Sequence, residues 1–374
     1  MKIAIVCYPS YGGSGVIATE LGKKMALRGH EVHFISYERP FKLDLFHENL
    51  YFHEVEIFDY PLFKFPPYSI ALASKIVEVA RCAGLDIVHV HYAMPHAISA
   101  YLAKQMLSSS DLPFITTLHG TDITLVGSDK QFYDATKFSI EESDGVTAVS
   151  NSLKQETQSI FETKKDIHTI HNFIDTKQFY RAENPVLRQR YAQPDESILI
   201  HISNFRAVKR IEDICEIFAI VNQKKPSKLL LVGDGPEIIK AQEFASKNSL
   251  RDRIVFLGKQ ERVTELLSIS DLFLLPSSKE SFGLVALEAM ACEVPVIAAK
   301  TGGIPEVVND GSSGFLSPVG DVENMATNAL MLLENDSLHR RFREAARERA
   351  ITTFSSEKIL PVYESFYREI IEQC

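Results

Sequence analysis

Two series of alternating strand and helix patterns, separated by one interruption, constrain the fold of this chain more than any other feature. From Met1 to about Asn172, short apolar runs alternate with longer helical patterns. KIAIVCY reads as a strand, followed by a helix over Val16 to Leu27 that Gly29 ends. EVHFIS is the next strand, then comes a Phe-, Tyr- and Pro-rich segment to Tyr68 and a helix over Ile70 to Ala83. DIVHVHY, PFITTLHG and GVTAVS supply three more strands, with helices over Ala97 to Leu107 and Lys130 to Glu142 between them. HNFIDTKQF, residues 171–179, breaks the pattern and reads as a linker. The alternation then restarts with SILIHIS, KLLLVGDG, RIVFLGK, DLFLLPS and PVIAA, and with helices from about Lys209, Pro236, Val263 and Gly283. Such alternation implies parallel strands with crossover helices, and hence an α/β chain of two doubly wound, Rossmann-like domains, residues 1–172 and 173–356. Residues 357–374 add a terminal helix. Ligands bind at the carboxyl ends of such strands, so two facing domains place the expected site in the cleft.

Composition removes several function classes. A length of 374 residues supports two independent cores, and 45% hydrophobic with 24% charged residues is ordinary for a globular protein. A net charge of −9 argues against a broad nucleic-acid surface. The apolar start KIAIV is too short for a signal peptide, and no segment reaches about 18 uninterrupted apolar residues, so no membrane partner is expected. Cys7, Cys82, Cys215, Cys292 and Cys374 are scattered, without a CxxC pair, and read as thiols of a reducing, cytoplasmic compartment. Cys374, at the terminus, reads as an exposed thiol.

The chemistry concentrates in LLPSSKESFGLVALEAMACEVPVIAAKTGGIPE, residues 274–306. A buried strand ends at Pro276-Ser277-Ser278, and a helix over Phe282 to Met290 follows. Glu280 lies just before that helix and Glu288 about two turns inside it, with Ser281-Phe282-Gly283 at its start. Free amides and the dipole at a helix start favour an anion. A carboxylate on either side would bond sugar hydroxyls while the amides take a diphosphate. On spacing alone, a loop Glu and a solvated helix Glu are the commoner outcome.

Other strand ends carry further candidates. Tyr11-Gly12-Gly13-Ser14-Gly15 joins the first strand to the first helix and favours an anion or sugar-phosphate contact. It is not G-x-G-x-x-G, and no acid ends the second strand, which weakens a dinucleotide role. His89, His91, His96 and His119 invite a metal, but no carboxylate or thiolate set stands nearby, so no metal is assigned. His119, on the turn His119-Gly120-Thr121-Asp122 at a strand's carboxyl end, is expected to point into the cleft; a core or capping role is the alternative. Ser203 to Arg210 holds Arg206, Lys209 and Arg210, cations suited to a diphosphate leaving group. Gly233-Asp234-Gly235-Pro236 and Gly258-Lys259 are tight turns at two further strand ends.

From the glycine loop through His119 to Glu288, this chain resembles the retaining GT-B glycosyltransferases over nearly its whole length. The run ESFGLVALEAMACEVPVI followed by TGGIPE looks like their glutamate-x7-glutamate signature. Within that family, CYPSYGGSGVIATELG, HVHYAMPHAISAYLAKQM, TTLHGTDITLVGSD, HISNFRAVKR and LLLVGDGPE are similar to the transferases that open bacillithiol biosynthesis. The resemblance implies transfer of N-acetylglucosamine from UDP-N-acetylglucosamine to the hydroxyl of L-malate, with the α configuration retained. Those two small molecules are then the partners, with no cofactor and no metal; a homo-oligomer stays open.

The same resemblance implies the roles. Glu280 would hold sugar hydroxyls, helped by the amides of Phe282, Gly283 and Leu284, and Glu288 the ribose. Gly233 and Lys259 would border base and ribose. Lys209 and Arg206, with the Gly13 amide, would stabilise the departing diphosphate, and His119 would contact the sugar's O6 or the reacting centre. Malate would sit near Ser14, Tyr92, Thr117 and Asn151, with Arg206 as a carboxylate partner. The family's usual Arg, two residues after the strand, falls here at Asn204, so Arg206 stands shifted. Rival readings are the same chemistry with a sugar, inositol phosphate or lipid acceptor, a non-hydrolysing sugar-nucleotide epimerase, and a silent nucleotide-sugar sensor. A lipid acceptor would use the aromatic segment from Phe41 to Tyr68.

Overall fold

The computed structural model describes residues 1–10, 12–44, 46–58, 61–62, 64–107 and 112–374. The chain divides into two compact units, Met1–Asn172 with Glu357–Cys374, and Phe173–Ser356.

The first unit holds strands β1 (Lys2–Val6), β2 (Glu31–Ser36), β3 (Leu50–Glu54), β4 (Ile87–His91), β5 (Phe114–Leu118), β6 (Gly145–Ala148) and β7 (His168–Thr169). They form one parallel sheet of order β3-β2-β1-β4-β5-β6-β7. Helices α1 (Gly13–Leu27), α2 (Tyr68–Val79), α3 (Ile98–Leu107), α4 (Tyr133–Glu142) and α5 (Asn151–Phe161) connect them. Central strands are apolar on both faces because helices cover both; Ala4, Val6, Val88 and Val90 pack with Leu72, Ile76 and Phe114. The order in which successive strands are added reverses between β1 and β4, the switch point at which such sheets open a ligand crevice.

The second unit carries α6 (Pro185–Gln189), then β8 (Ser197–Ile202), β9 (Ser227–Val232), β10 (Ile254–Gly258), β11 (Leu272–Leu275), β12 (Val296–Ala299) and β13 (Gly314–Ser317). The sheet order is β10-β9-β8-β11-β12-β13, with its switch point between β8 and β11. Its helices are α7 (Ile211–Lys224), α8 (Ile238–Lys247), α9 (Val263–Ser268), α10 (Leu284–Ala291), α11 (Ile304–Val307), α12 (Val322–Leu333) and α13 (Asp336–Phe354). Leu199, Leu229, Leu231, Leu272, Leu274 and Ile297 pack with Phe218 and Phe342 in its core.

The last helix, α14 (Ser356–Gln373), buries Tyr363, Phe366, Tyr367 and Ile370 in the first unit. Arg28 grips Glu364 through two hydrogen bonds of 2.8 Å, and His30 Nε2 adds a third contact at 2.9 Å. The Arg28 hydrogen bonds hold the Glu364 carboxyl down to about 2.

Three strands escape the sequence pattern: β3, β7 and β13 all lie at sheet edges. An edge strand is partly covered, so it lacks a continuous apolar run; in β3 only Leu50 is buried. The segment 171–179 is not a free linker. Ile174 pairs with Ser355, donating to Phe354 O at 2.9 Å and accepting from Ser356 N at 3.0 Å, while Phe173, Ile174 and Phe179 are buried. Among the described residues no helix is long and apolar enough to cross a membrane.

Candidate active site

In the second unit, the glutamate loop is built by close backbone packing. β11 ends at Leu275, and α10 starts at Leu284, two residues later than its pattern predicts, so Glu288 lies about one turn in. Gly283 caps α10 with φ 94°, and a Cβ there would meet Ile304 Cδ1 at 2.3 Å, so position 283 requires glycine. Phe282 is 3% exposed and packs edge-on to Phe354, so its ring is closed off within the second unit. Gly303 N donates to Glu280 O at 2.9 Å, and a Cβ on Gly302 (φ 51°) would lie 1.9 Å from that same carbonyl. Thr301 Oγ1 donates to Ser278 O at 3.0 Å. The T-G-G turn therefore sets where Glu280 points. Gly302→Ala is expected to destabilise the protein by on the order of 3 kcal/mol and to cut activity with it. Thermal denaturation and turnover of the purified variant check this.

Lys209 Nζ donates to Glu280 Oε1 at 2.5 Å, with the two side chains 17% and 11% exposed. The loop before α7 is a tight turn over Ala207–Lys209, held to the glutamate loop by Ser278 N donating to Val208 O at 2.8 Å. The helix itself begins only at Ile211, so Lys209 does not oppose its dipole; Glu212 and Asp213 fill the first turn. Arg210 leaves the list of phosphate cations. It caps α7 at φ 51° and binds Asp213 through Nε at 2.6 Å and a terminal nitrogen at 3.0 Å. Arg206 is exposed and has no ion-pair partner among the described residues.

The Gly233 turn packs on the same loop. Its φ is 121°, and added Cβ atoms at Gly233 and Gly235 would lie 1.8 Å from Ser203 O and 1.9 Å from Asn204 O. Lys259 is exposed beside it, after Gly258. His201, fully buried, joins Leu274 O and Ser203 Oγ at 2.8 Å each, and burial pushes its pKa down to about 4.

In the first unit, Gly12 caps α1, and Gly13 and Ser14 occupy its first two positions, partly open to solvent. Tyr11, part of the predicted loop, lies outside the described residues. Ser14 Oγ and Tyr92 OH are 2.9 Å apart, and Tyr92 sits at φ 86°, a conformation that a side chain other than glycine adopts only at a cost. Asn151 heads α5, exposed, with its Oδ1 accepting from Thr169 Oγ1 at 2.9 Å.

Thr117 does not belong to an acceptor pocket. It is fully buried, and its hydroxyl bonds His89 Nε2 and Thr147 Oγ1 at 2.7 Å each, in a chain that continues from His89 Nδ1 to Tyr367 OH at 2.7 Å. Its side chain lies on the sheet face that α14 covers.

His119 sits at the carboxyl end of β5, half-buried, with Nε2 2.8 Å from His91 Nδ1. Protein packed around the ring pushes its pKa down to about 3, and burial takes His89 to about 3 and His96 to about 4. Asp122, unassigned by the sequence reading, holds this corner. Its Oδ1 accepts from Gly120 N at 2.8 Å and His119 N at 3.1 Å, and its Oδ2 accepts from Ala93 N at 3.2 Å. Burial raises its pKa to about 6 against the pull of those amides. Its signal was present in the HGTD turn. Among the described residues no group of three His, Cys, Asp or Glu side chains is placed to hold a metal ion. Phe46, Phe58, Leu62 and Phe65 of the aromatic segment are exposed, and Tyr60 and Phe63 lie outside the described residues.

Two parallel doubly wound units, one carrying a Glu280–Lys209 pair at a helix start, are the architecture of a GT-B glycosyltransferase, and the chain belongs to that family. Residues 11–178 match Glycosyltransferase Family 4 and residues 184–349 match Glycosyl transferases group 1. The sequence is 52% identical to N-acetyl-alpha-D-glucosaminyl L-malate synthase of Bacillus anthracis, over 99% of this chain and 97% of that protein. The fold is shared with sucrose-phosphate synthase of Thermosynechococcus elongatus (TM-score 0.82, 22% identity, 100% of both chains). It is shared equally with Anabaena HepE solved with UDP and glucose (TM-score 0.81, 22% identity, 98% of this chain and 99% of that one).

Proposed function

We propose that this chain transfers N-acetylglucosamine from UDP-N-acetylglucosamine to the hydroxyl of L-malate with retention at the anomeric carbon, the opening step of bacillithiol biosynthesis. The observation that carries the reading is the 52% identity to a malate synthase of that kind along the whole chain. The reducing cytoplasm is the proposed setting, in keeping with buried thiols such as Cys7 and Cys215.

The second unit binds the donor in this reading. Glu280 takes sugar hydroxyls, Glu288 the ribose, and the amides of Phe282, Gly283 and Leu284 the diphosphate, as the head of a helix favours. Gly233 and Lys259 border the nucleoside. Lys209, held by Glu280, and the unpaired Arg206 neutralise charge as UDP leaves. In the first unit, the Gly13 amide is the proposed anion contact and His119 the proposed sugar contact, with Ser14, Tyr92 and Asn151 as the proposed malate contacts.

No side-chain carboxylate is assigned as a covalent nucleophile, so the step is a front-face substitution. The bond from the anomeric carbon to the β-phosphate oxygen breaks as the malate hydroxyl oxygen bonds to that carbon. The hydroxyl proton passes to the departing phosphate oxygen, which leaves UDP and the α-glucosaminyl malate. Fixed positive charge, positioned before the reaction, lowers the barrier.

Purified protein incubated with UDP-N-acetylglucosamine, with and without L-malate, tests the reading by mass spectrometry. The expected result is a product of N-acetylglucosaminyl-malate mass that requires malate and appears with UDP. Turnover of the donor that ignores malate would overturn the acceptor assignment.

A further inference from the structure

His91 closes β4 fully buried, and no ligand contact is assigned to it. Its ring stacks on His89, with centroids 4.3 Å apart, and on His119, at 5.1 Å and 24° between planes. Its Nδ1 is 2.8 Å from His119 Nε2, while its Nε2 is buried without a hydrogen-bond partner. Its carbonyl accepts from His96 Nδ1 at 2.5 Å, which fixes the backbone below the ring.

Two neutral imidazoles joined by one hydrogen bond hold one proton between them. If His119 Nε2 were the donor, His91 would carry its own proton on Nε2, a buried N–H with nothing to receive it. If His91 Nδ1 is the donor, Nε2 is left as a bare lone pair. The same pocket already holds one such lone pair. His96 donates from Nδ1 to a carbonyl, so its buried, unpartnered Nε2 carries no hydrogen. With Nε2 of His119 accepting, its proton sits on Nδ1, and among the described residues that nitrogen has neither a partner nor a place among the sealed atoms.

We propose that His91 is a positioning residue for sugar transfer: by donating from Nδ1 it holds His119 in the Nδ1–H tautomer, so that His119 presents a hydrogen-bond donor, not a base, to the bound sugar. This rests on the proposed reading of His119 as a donor-sugar contact. The ring of His119 is oriented by stacking and by one hydrogen bond, and the tautomer decides whether it can accept a proton from the acceptor or can only bind an oxygen. It also explains why histidine stands at the buried end of β4.

The test uses the full chain labelled with ¹⁵N in histidine, with imidazole proton–nitrogen correlation spectra of wild type, His91→Leu and His91→Asn. In the wild type, the His119 proton is expected on Nδ1. His91→Asn, whose amide nitrogen can donate from nearly the same place, should keep that tautomer. His91→Leu should lose it, with kcat for transfer lowered about tenfold or more and KM for the sugar nucleotide within a few-fold, and the asparagine variant should recover most of the loss. A wild-type proton on Nε2 overturns the proposal, and so does a leucine variant that keeps both tautomer and kcat. Should His91→Leu fail to fold, the wild-type and asparagine spectra decide alone. A wild type with the Nδ1 proton that makes no glucosaminyl malate supports the tautomer lock and refutes the assigned reaction.

Discussion

Lys209→Ala is expected to lower kcat by roughly 10²-fold or more, the usual effect of removing one preorganised charge contact from a transition state. Two features make the expected loss large. Lys209 Nζ lies 2.5 Å from Glu280 Oε1 in a pair largely shielded from water, so the substitution also leaves a shielded carboxylate without its cation. That carboxylate is the proposed sugar-hydroxyl contact, so the donor would be bound less precisely as well as less electrostatically. Lys209→Arg should recover little, because a planar fork does not replace a compact ammonium in a turn this tight. Steady-state kinetics of Lys209→Ala, Glu280→Gln and the double variant separate the contributions. Strong non-additivity is expected for a pair that acts as a unit. A higher KM with kcat intact would move Lys209 from leaving-group stabilisation to simple donor binding.

Acidification between pH 7 and 5 is expected to destabilise the first unit steeply. His89 and His119 have folded pKa values of about 3 and His96 of about 4, and His91 is held well below its ordinary 6.5, in each case chiefly by burial. Their folded values are depressed, so the unfolded chain binds the protons first. The stability they contribute is complete above about pH 6.5 and is lost as pH falls toward the folded values. Asp122 works the other way. Its folded pKa of about 6 lies above its unfolded value, so the folded state takes up that one proton first. Four histidines less one aspartate leave about three protons, or on the order of 4 kcal/mol lost per pH unit below pH 6. Hydrogen exchange of β4 and β5, corrected for the intrinsic pH dependence of exchange, reports this locally. Protection that stays level from pH 7 to 5 would mean that these rings are not held neutral.

Much of the architecture was legible from the sequence because parallel strands covered on both faces must be continuously apolar. SILIHI and KLLLV could hardly be anything else, and the site candidates followed from where those runs stop. The edge strand LYFHE was missed for the complementary reason, that a half-covered strand carries half a pattern. Arg210 shows a different limit. Its charge suggested a phosphate ligand, but a left-handed cap conformation turns it onto Asp213, a decision made by backbone geometry that composition does not record. Thr117 likewise follows a strand pattern whose alternation says that it faces one side of the sheet, without saying which side α14 covers.

The sequence by itself determined the two doubly wound units, the glutamate-bearing helix start and the loops that end β1, β5, β8 and β11, since hydrophobic period and turn residues are local properties. Only the tertiary structure decided which polar groups meet: Lys209 with Glu280, 71 positions apart, the T-G-G turn against the Glu280 carbonyl, and His91 with His119 across neighbouring strands. Those partnerships depend on strand order and on packing distances of a few tenths of an ångström, which no local pattern encodes.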